Sequence, residues 1–206
     1  MATSGELAEV LSASLGFKLG TVNYYGQELR DAGLLSTGGR GPSAVTMTHD
    51  DAANWLLAMC CAETAKSAAA IVKLTRDTPL YGTPTHKGDH EPSDELTFPK
   101  ARSVKDLLTA LMRDAKAGSL DDVLIMLDFY IGGGRVDFIA SGFSGSTTGI
   151  DWRVSMEFVH TWDSRRAIPT RRRDTDERPI TAKRATINRI SRGALEDIAS
   201  VLSDEL

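Results

Sequence analysis

Cysteine, long apolar runs and an excess of either charge are what this sequence lacks, and each absence removes a class of protein. The two cysteines are adjacent, Cys60-Cys61, inside a helix-like apolar pattern where neighbours point about 100° apart. They cannot build a disulfide framework and are expected to be two buried thiols in a reducing compartment. No stretch reaches the roughly 18–20 apolar residues of a membrane helix, so no membrane partner is expected. The opening MATSGELAEV has neither a basic n-region nor an apolar h-region, so a secretory signal is not expected and a cytoplasmic location is. Lys and Arg number 24 against 28 Asp and Glu, a net −4, which argues against a protein that coats nucleic acid.

Sites for chemistry are equally scarce. His86 and His90 flank Asp89, but Gly88 and nearby prolines make that a loop, and no further Cys or His completes a four-ligand set. Gly132-Gly133-Gly134-Arg135 lacks the Gly-Lys-Ser/Thr and following helix of a phosphate loop. Gly142-Phe143-Ser144-Gly145 lacks the spacing of a nucleophile elbow. Asp128 and Asp137 fall on adjacent expected strands as possible paired acids, with no third group to complete a site. No catalytic residue, metal or cofactor is assigned, and an enzyme is not expected.

What is present is enough apolar material, 41% of 206 residues, for one large or two small cores. Thr3 to Glu6 is a capping box, and Leu7, Val10, Leu11 and Leu15 form the stripe of a helix over about 4–15 that Gly16 closes. A second helix is expected over 21–33, with Val22, Tyr25, Leu29 and Ala32 inward and Gly33 as its C-terminal cap, Leu34 packing back. That placement leaves a connection slightly longer than the usual turn of about 3–4 residues. Thr48 and the acids after it open an alanine-rich segment reaching Thr75, one long helix or two with a bend.

Residues 77–102 hold Pro79, Gly82, Pro84, Gly88, Pro92 and Pro99, with five acids against Lys87 over 77–99, and read as an acidic linker between domains. A helix beginning at Ser103 and ending near Gly118 follows. DVLIMLDFYI is expected as a central strand covered on both faces, and the three glycines turn it into a second strand from Arg135 to Ala140. Ile150, Trp152, Val154, Met156 and Phe158 alternate with polar residues, as in a strand with one wet face. Thr186 to Ile190 adds a short strand, and Ser191 caps a last helix.

The stretch from Thr21 to Thr48 organises the functional reading. Its second half, Gly38-Gly39-Arg40-Gly41-Pro42, lies between Leu34-Leu35-Ser36 and Ala44-Val45-Thr46, which are expected to pair as a hairpin. A helix followed by a small, basic-tipped hairpin in the order LRxAGLL…GRG…T resembles the winged helix-turn-helix domains of bacterial and phage-type regulators, over about the first quarter of the chain. The resemblance implies double-stranded DNA as partner and a homodimer as assembly. It implies base reading in the major groove by Thr21, Asn23, Tyr24 and Gln27, where Asn and Gln pair with adenine. Lys18 and Arg30 flank that face. The Gly38, Gly39, Arg40 and Gly41 tip would reach a second, narrow groove.

Charge is segregated in a way that bears on this. Residues 1–48 are net −1, poor electrostatics for a DNA module. Residues 162–192 carry ten Arg or Lys against four acids, and Arg165, Arg166, Arg171, Arg172 and Arg173 are candidate auxiliary phosphate contacts. Altogether the sequence predicts an α+β protein: a helix-turn-helix-like domain at 1–76, the linker at 77–102, and an α+β dimerisation or partner-binding domain at 103–206. The competing expectation is a phage or bacterial interaction or assembly protein that does not bind DNA.

Overall fold

The computed structural model describes residues 2–38, 45–81, 84–88, 92–130, 135–142, 152–159 and 187–202. Among them the chain is α+β, with six α-helices and five antiparallel strands. The helices are α1 (Ser4–Leu15), α2 (Leu19–Asp31), α3 (His49–Cys61), α4 (Ala65–Arg76), α5 (Val104–Lys116) and α6 (Arg192–Val201). The strands are β1 (Thr85–Gly88), β2 (Val123–Tyr130), β3 (Arg135–Gly142), β4 (Trp152–Val159) and β5 (Ile187–Ile190), in the sheet order β1-β4-β3-β2-β5.

Local sequence chemistry sets the helix ends. Thr3 Oγ1 accepts from the Glu6 N–H while Glu6 accepts from the Thr3 N–H at 2.7 Å, which also holds the Glu6 carboxyl below its usual pKa. Thr48 with Asp51 and Ser103 with Asp106 repeat the same reciprocal pair. At the end of α2, Gly33 N–H donates to Arg30 O and Leu34 N–H to Leu29 O at 2.9 Å, the paired bonds of a Schellman cap. α2 starts two residues earlier than the periodicity predicts, so Gly16, Phe17 and Lys18 form a three-residue turn. The alanine-rich segment is two helices bent by 116°, with Thr64 capping the second.

Several expectations are corrected. Among the described residues of 77–102, β1 adds an edge strand beside β4, and Leu80 bridges to Phe158. Leu96 and Phe98 are buried, with Phe98 edge-on to Phe138 of β3 at 5.2 Å. A 3-10 turn, Phe98–Lys100, is pinned to α5 by Asp114, a 2% exposed carboxylate. Its oxygens accept from the Thr97 and Phe98 N–H groups and from Thr97 Oγ1. β2 is central in the sheet but covered on one face. Val123, Ile125, Leu127 and Phe129 point into the core, while Leu124 on the other face is 62% exposed.

The buried apolar residues of both halves of the chain belong to one contiguous cluster. α6 packs on α1, where Ser14 Oγ donates to Asp197 Oδ2, and α3 touches α5, β2 and β5. Trp55, wholly buried on α3, donates its indole N–H to Val22 O at 3.2 Å. Its ring lies against Gly26, where an added Cβ would stand within 2.8–2.9 Å of Cη2 and Cε2 and closer still to a third ring atom. That contact sets how α2 sits on the core.

Candidate nucleic-acid interface

α2 is amphipathic in the sense its sequence requires. Val22, Tyr25, Gly26 and Leu29 are buried, and Tyr25 donates its hydroxyl to Ala62 O at 3.3 Å, its pKa raised by burial. On the opposite face Thr21, Asn23, Tyr24 and Gln27 are exposed, with Lys18 exposed at the N-cap and Arg30 half-buried near the C-terminus. The Gln27 side chain is partly engaged: its amide donates to Asp31 Oδ1 at 2.7 Å, and its oxygen accepts from Arg30 at 3.5 Å. Unlike α1, α3 and α5, α2 has no side-chain cap and no acid in its first turn. Its first N–H groups therefore present positive potential beside Lys18.

The connection after α2 departs from the expected wing. Among the described residues, Leu34–Ser36 and Val45–Thr46 form no strand. Polar groups of Leu34 and Ser36 are taken up by α2 and α3. Asp51 Oδ1 accepts from the Ser36 N–H at 2.7 Å while its other oxygen accepts from Thr48, so one carboxylate ties both ends of the loop. Asn54 donates to Leu34 O at 2.8 Å, and Met47 N–H donates to Ala2 O. Leu35 and Met47 are buried, and Gly38 approaches Val45 too closely to admit a Cβ. Gly39, Arg40 and Gly41 lie outside the described residues, as do Arg165, Arg166, Arg171, Arg172 and Arg173 and the Gly132–Gly134 turn.

A chain of polar contacts that no local pattern signals leads from this loop to the second half of the protein. Arg76 Nη1 donates to Asn54 Oδ1 at 3.0 Å and Arg76 Nη2 faces Asp50 at 3.8 Å. Lys105 of α5 grips the same Asp50 at 2.5 Å. Helical periodicity shows that Asn54 and Arg76 sit on their helices; it cannot show that the two helices bring them together.

Other candidates from the sequence resolve into structural roles. Asp128 and Asp137 stand directly opposite one another, with Glu157 next in the row across β4. Arg135 grips Asp137 with two nitrogens at 3.0 and 3.1 Å and reaches Glu157 at 3.2 Å. Tyr130 donates to Asp137 at 2.8 Å and lies under the guanidinium. Burial first, and then Asp137, push the Tyr130 pKa up, while the Asp137 bond raises that of Arg135. Asp137 and Glu157 on this face are thus charge-paired with Arg135. No group of metal-ligating side chains occurs among the described residues, and His90 lies outside them. Cys60 and Cys61 are buried thiols outside any disulfide; burial pushes Cys61 up to about 12 and Cys60 well above its usual value.

No known family, curated protein or solved structure matches the chain.

Proposed function

We propose that the protein is a sequence-specific DNA-binding regulator in which α2 enters the major groove. One observation carries the reading: Thr21, Asn23, Tyr24 and Gln27 share the exposed face of a helix whose other face is locked into the core behind a three-residue turn. Short polar side chains on a rigid helix are what base edges require, Asn and Gln for adenine and hydroxyls for phosphate. The uncapped N-terminus of α2 beside Lys18 suits a backbone phosphate. In this reading Arg40, with the glycines around it in the sequence, reaches a second groove. The arginines at 165–173 add the charge that residues 1–48 lack. Two copies would double the contacts and raise the effective concentration of each module.

Selection of bound sequences from a random duplex pool tests it. Asn23→Ala should change the preferred bases and cost roughly 5–150-fold at the favoured site, the value of about 1–3 kcal/mol for a paired base contact. Arg40→Ala should weaken A·T-rich sites selectively. No enrichment by the wild-type chain ends the proposal.

A second reading rests on Phe17 and Leu19, large side chains 38% and 41% exposed on either side of Lys18. They suit a protein partner, making the chain an interaction or assembly protein. Phe17→Ser would then abolish partner binding, whereas a DNA reader would keep its base preference.

A further inference from the structure

We propose that the cleft between the 3-10 turn at Phe98–Lys100, α5 and the start of α3 binds a phosphate group. The cavity measures about 540 Å³, within the usual range for a small-molecule site of roughly 300–1,000 Å³. Lys105, Thr109 and Arg113 line it from one face of α5, spaced four residues apart, and Lys100 joins them from the turn. The turn is a rigid support, because buried Asp114 holds the Thr97 and Phe98 backbone to α5.

Two carboxylates also line the cleft, and both are already compensated. Asp50 accepts from Lys105 at 2.5 Å and faces Arg76 at 3.8 Å. Asp106 accepts from the Ser103 and Arg102 N–H groups as part of the α5 cap. Three cations against two carboxylates leave the lining positive, while Arg76 behind Asp50 is balanced by Asp77 at 3.4 Å. The fourth feature is Thr109: the residue is 7% exposed, and its hydroxyl has no hydrogen-bond partner among the described residues. A buried hydroxyl without an acceptor costs stability. A phosphate offers acceptor oxygens on several sides at once, whereas a carboxylate offers two in one plane. The source of the group is either a free phosphorylated small molecule or a nucleic-acid backbone; the chemistry at the cleft is the same.

Thermal unfolding of the full chain with sodium pyrophosphate, against sodium chloride at equal ionic strength, tests the site without reference to DNA. At about a hundredfold excess over Kd, a single site should raise Tm by roughly 5–10 °C. Lys100→Ala, at an exposed position, should leave the unliganded Tm near the wild-type value and cut affinity at least about tenfold, and Arg113→Ala should cut affinity by a similar factor. Thr109→Val separates a structural from a binding role: it should raise the unliganded Tm and still weaken pyrophosphate. Displacement of pyrophosphate by a short duplex would identify backbone phosphate as the source; retention would identify a free small molecule. No pyrophosphate-specific shift in the wild type, or an equal shift in all three variants, overturns the site. Loss of DNA enrichment with the pyrophosphate shift intact would remove the DNA reading alone.

Discussion

Two glycines of α2 should respond with opposite signs to the same substitution, and the pair tests how α2 is seated. Alanine is favoured over glycine inside a helix by about 1 kcal/mol. At Gly20 an added Cβ meets nothing within 4 Å, so Gly20→Ala should gain up to about that amount. At Gly26 the Cβ would lie 2.8–2.9 Å from two ring carbons of Trp55 and nearer to a third. The ring has nowhere to go: it is wholly buried, and its N–H is bonded to Val22 O on the same helix. Overpacking of this kind costs typically about 1–3 kcal/mol, and shifting the ring endangers a hydrogen bond worth about 1 more. Against the helix-propensity gain, Gly26→Ala should destabilise by about 1–3 kcal/mol, which is a Tm lower by roughly 2–12 °C in a protein of this size. Urea unfolding followed by tryptophan fluorescence reads both variants. A Gly26→Ala protein as stable as wild type would refute the close seating of α2 on Trp55, and with it the orientation that turns Asn23 and Tyr24 outward.

Further outcomes follow from the buried polar and titratable groups. Asp114→Ala leaves the Thr97 and Phe98 N–H donors without their carboxylate and should cost about 3–5 kcal/mol, whereas Asp114→Asn, keeping one acceptor oxygen, should cost less; denaturant midpoints decide between them. Asp51→Ala should release both ends of the 36–48 loop, seen as faster amide exchange at Ser36 and Thr48 with α5 unchanged. The cysteine thiols are held protonated in the fold, with Cys61 pushed up to about 12. Unfolded thiols ionise first as pH rises, so stability should fall between about pH 9 and 12, by up to about 1.4 kcal/mol per pH unit for each thiol. A Cys60→Ala, Cys61→Ala protein should lose that slope, and a native protein alkylated as fast as the unfolded one would contradict the burial.

Features whose cause lies within a few residues are legible in the chain itself. The reciprocal caps at Thr3, Thr48 and Ser103, the Gly33–Leu34 ending of α2, the inward stripe of Val22, Tyr25 and Leu29, and the alternation of Val154, Met156 and Phe158 each follow from side chains spaced within a turn or a pleat. So does the exposure of Asn23, Tyr24 and Gln27, because fixing one face of a helix fixes the other. The misplaced start of α2 has a local cause as well: Lys18 is a weak capping residue, and the pattern gave no signal there.

What the tertiary structure alone decided is which distant groups meet. Leu34–Ser36 looks like a strand, but Asp51 accepts from the Ser36 N–H and Asn54 donates to Leu34 O, so side chains of α3 take up backbone groups that a partner strand would use. The proline-rich stretch at 77–102 looks like a linker, yet the free edge of β4 takes up Thr85–Gly88, and a buried Asp114 carboxylate gathers the turn at Phe98. The apolar run of β2 says that its residues tolerate burial, not that a layer exists to cover both sides. Likewise, Arg76, Lys100, Lys105 and Arg113 are ordinary surface cations along the sequence. They converge only because α3, α4 and α5 pack together, and hydrogen bonding and electrostatics act across a few ångströms of space regardless of how many residues separate the partners.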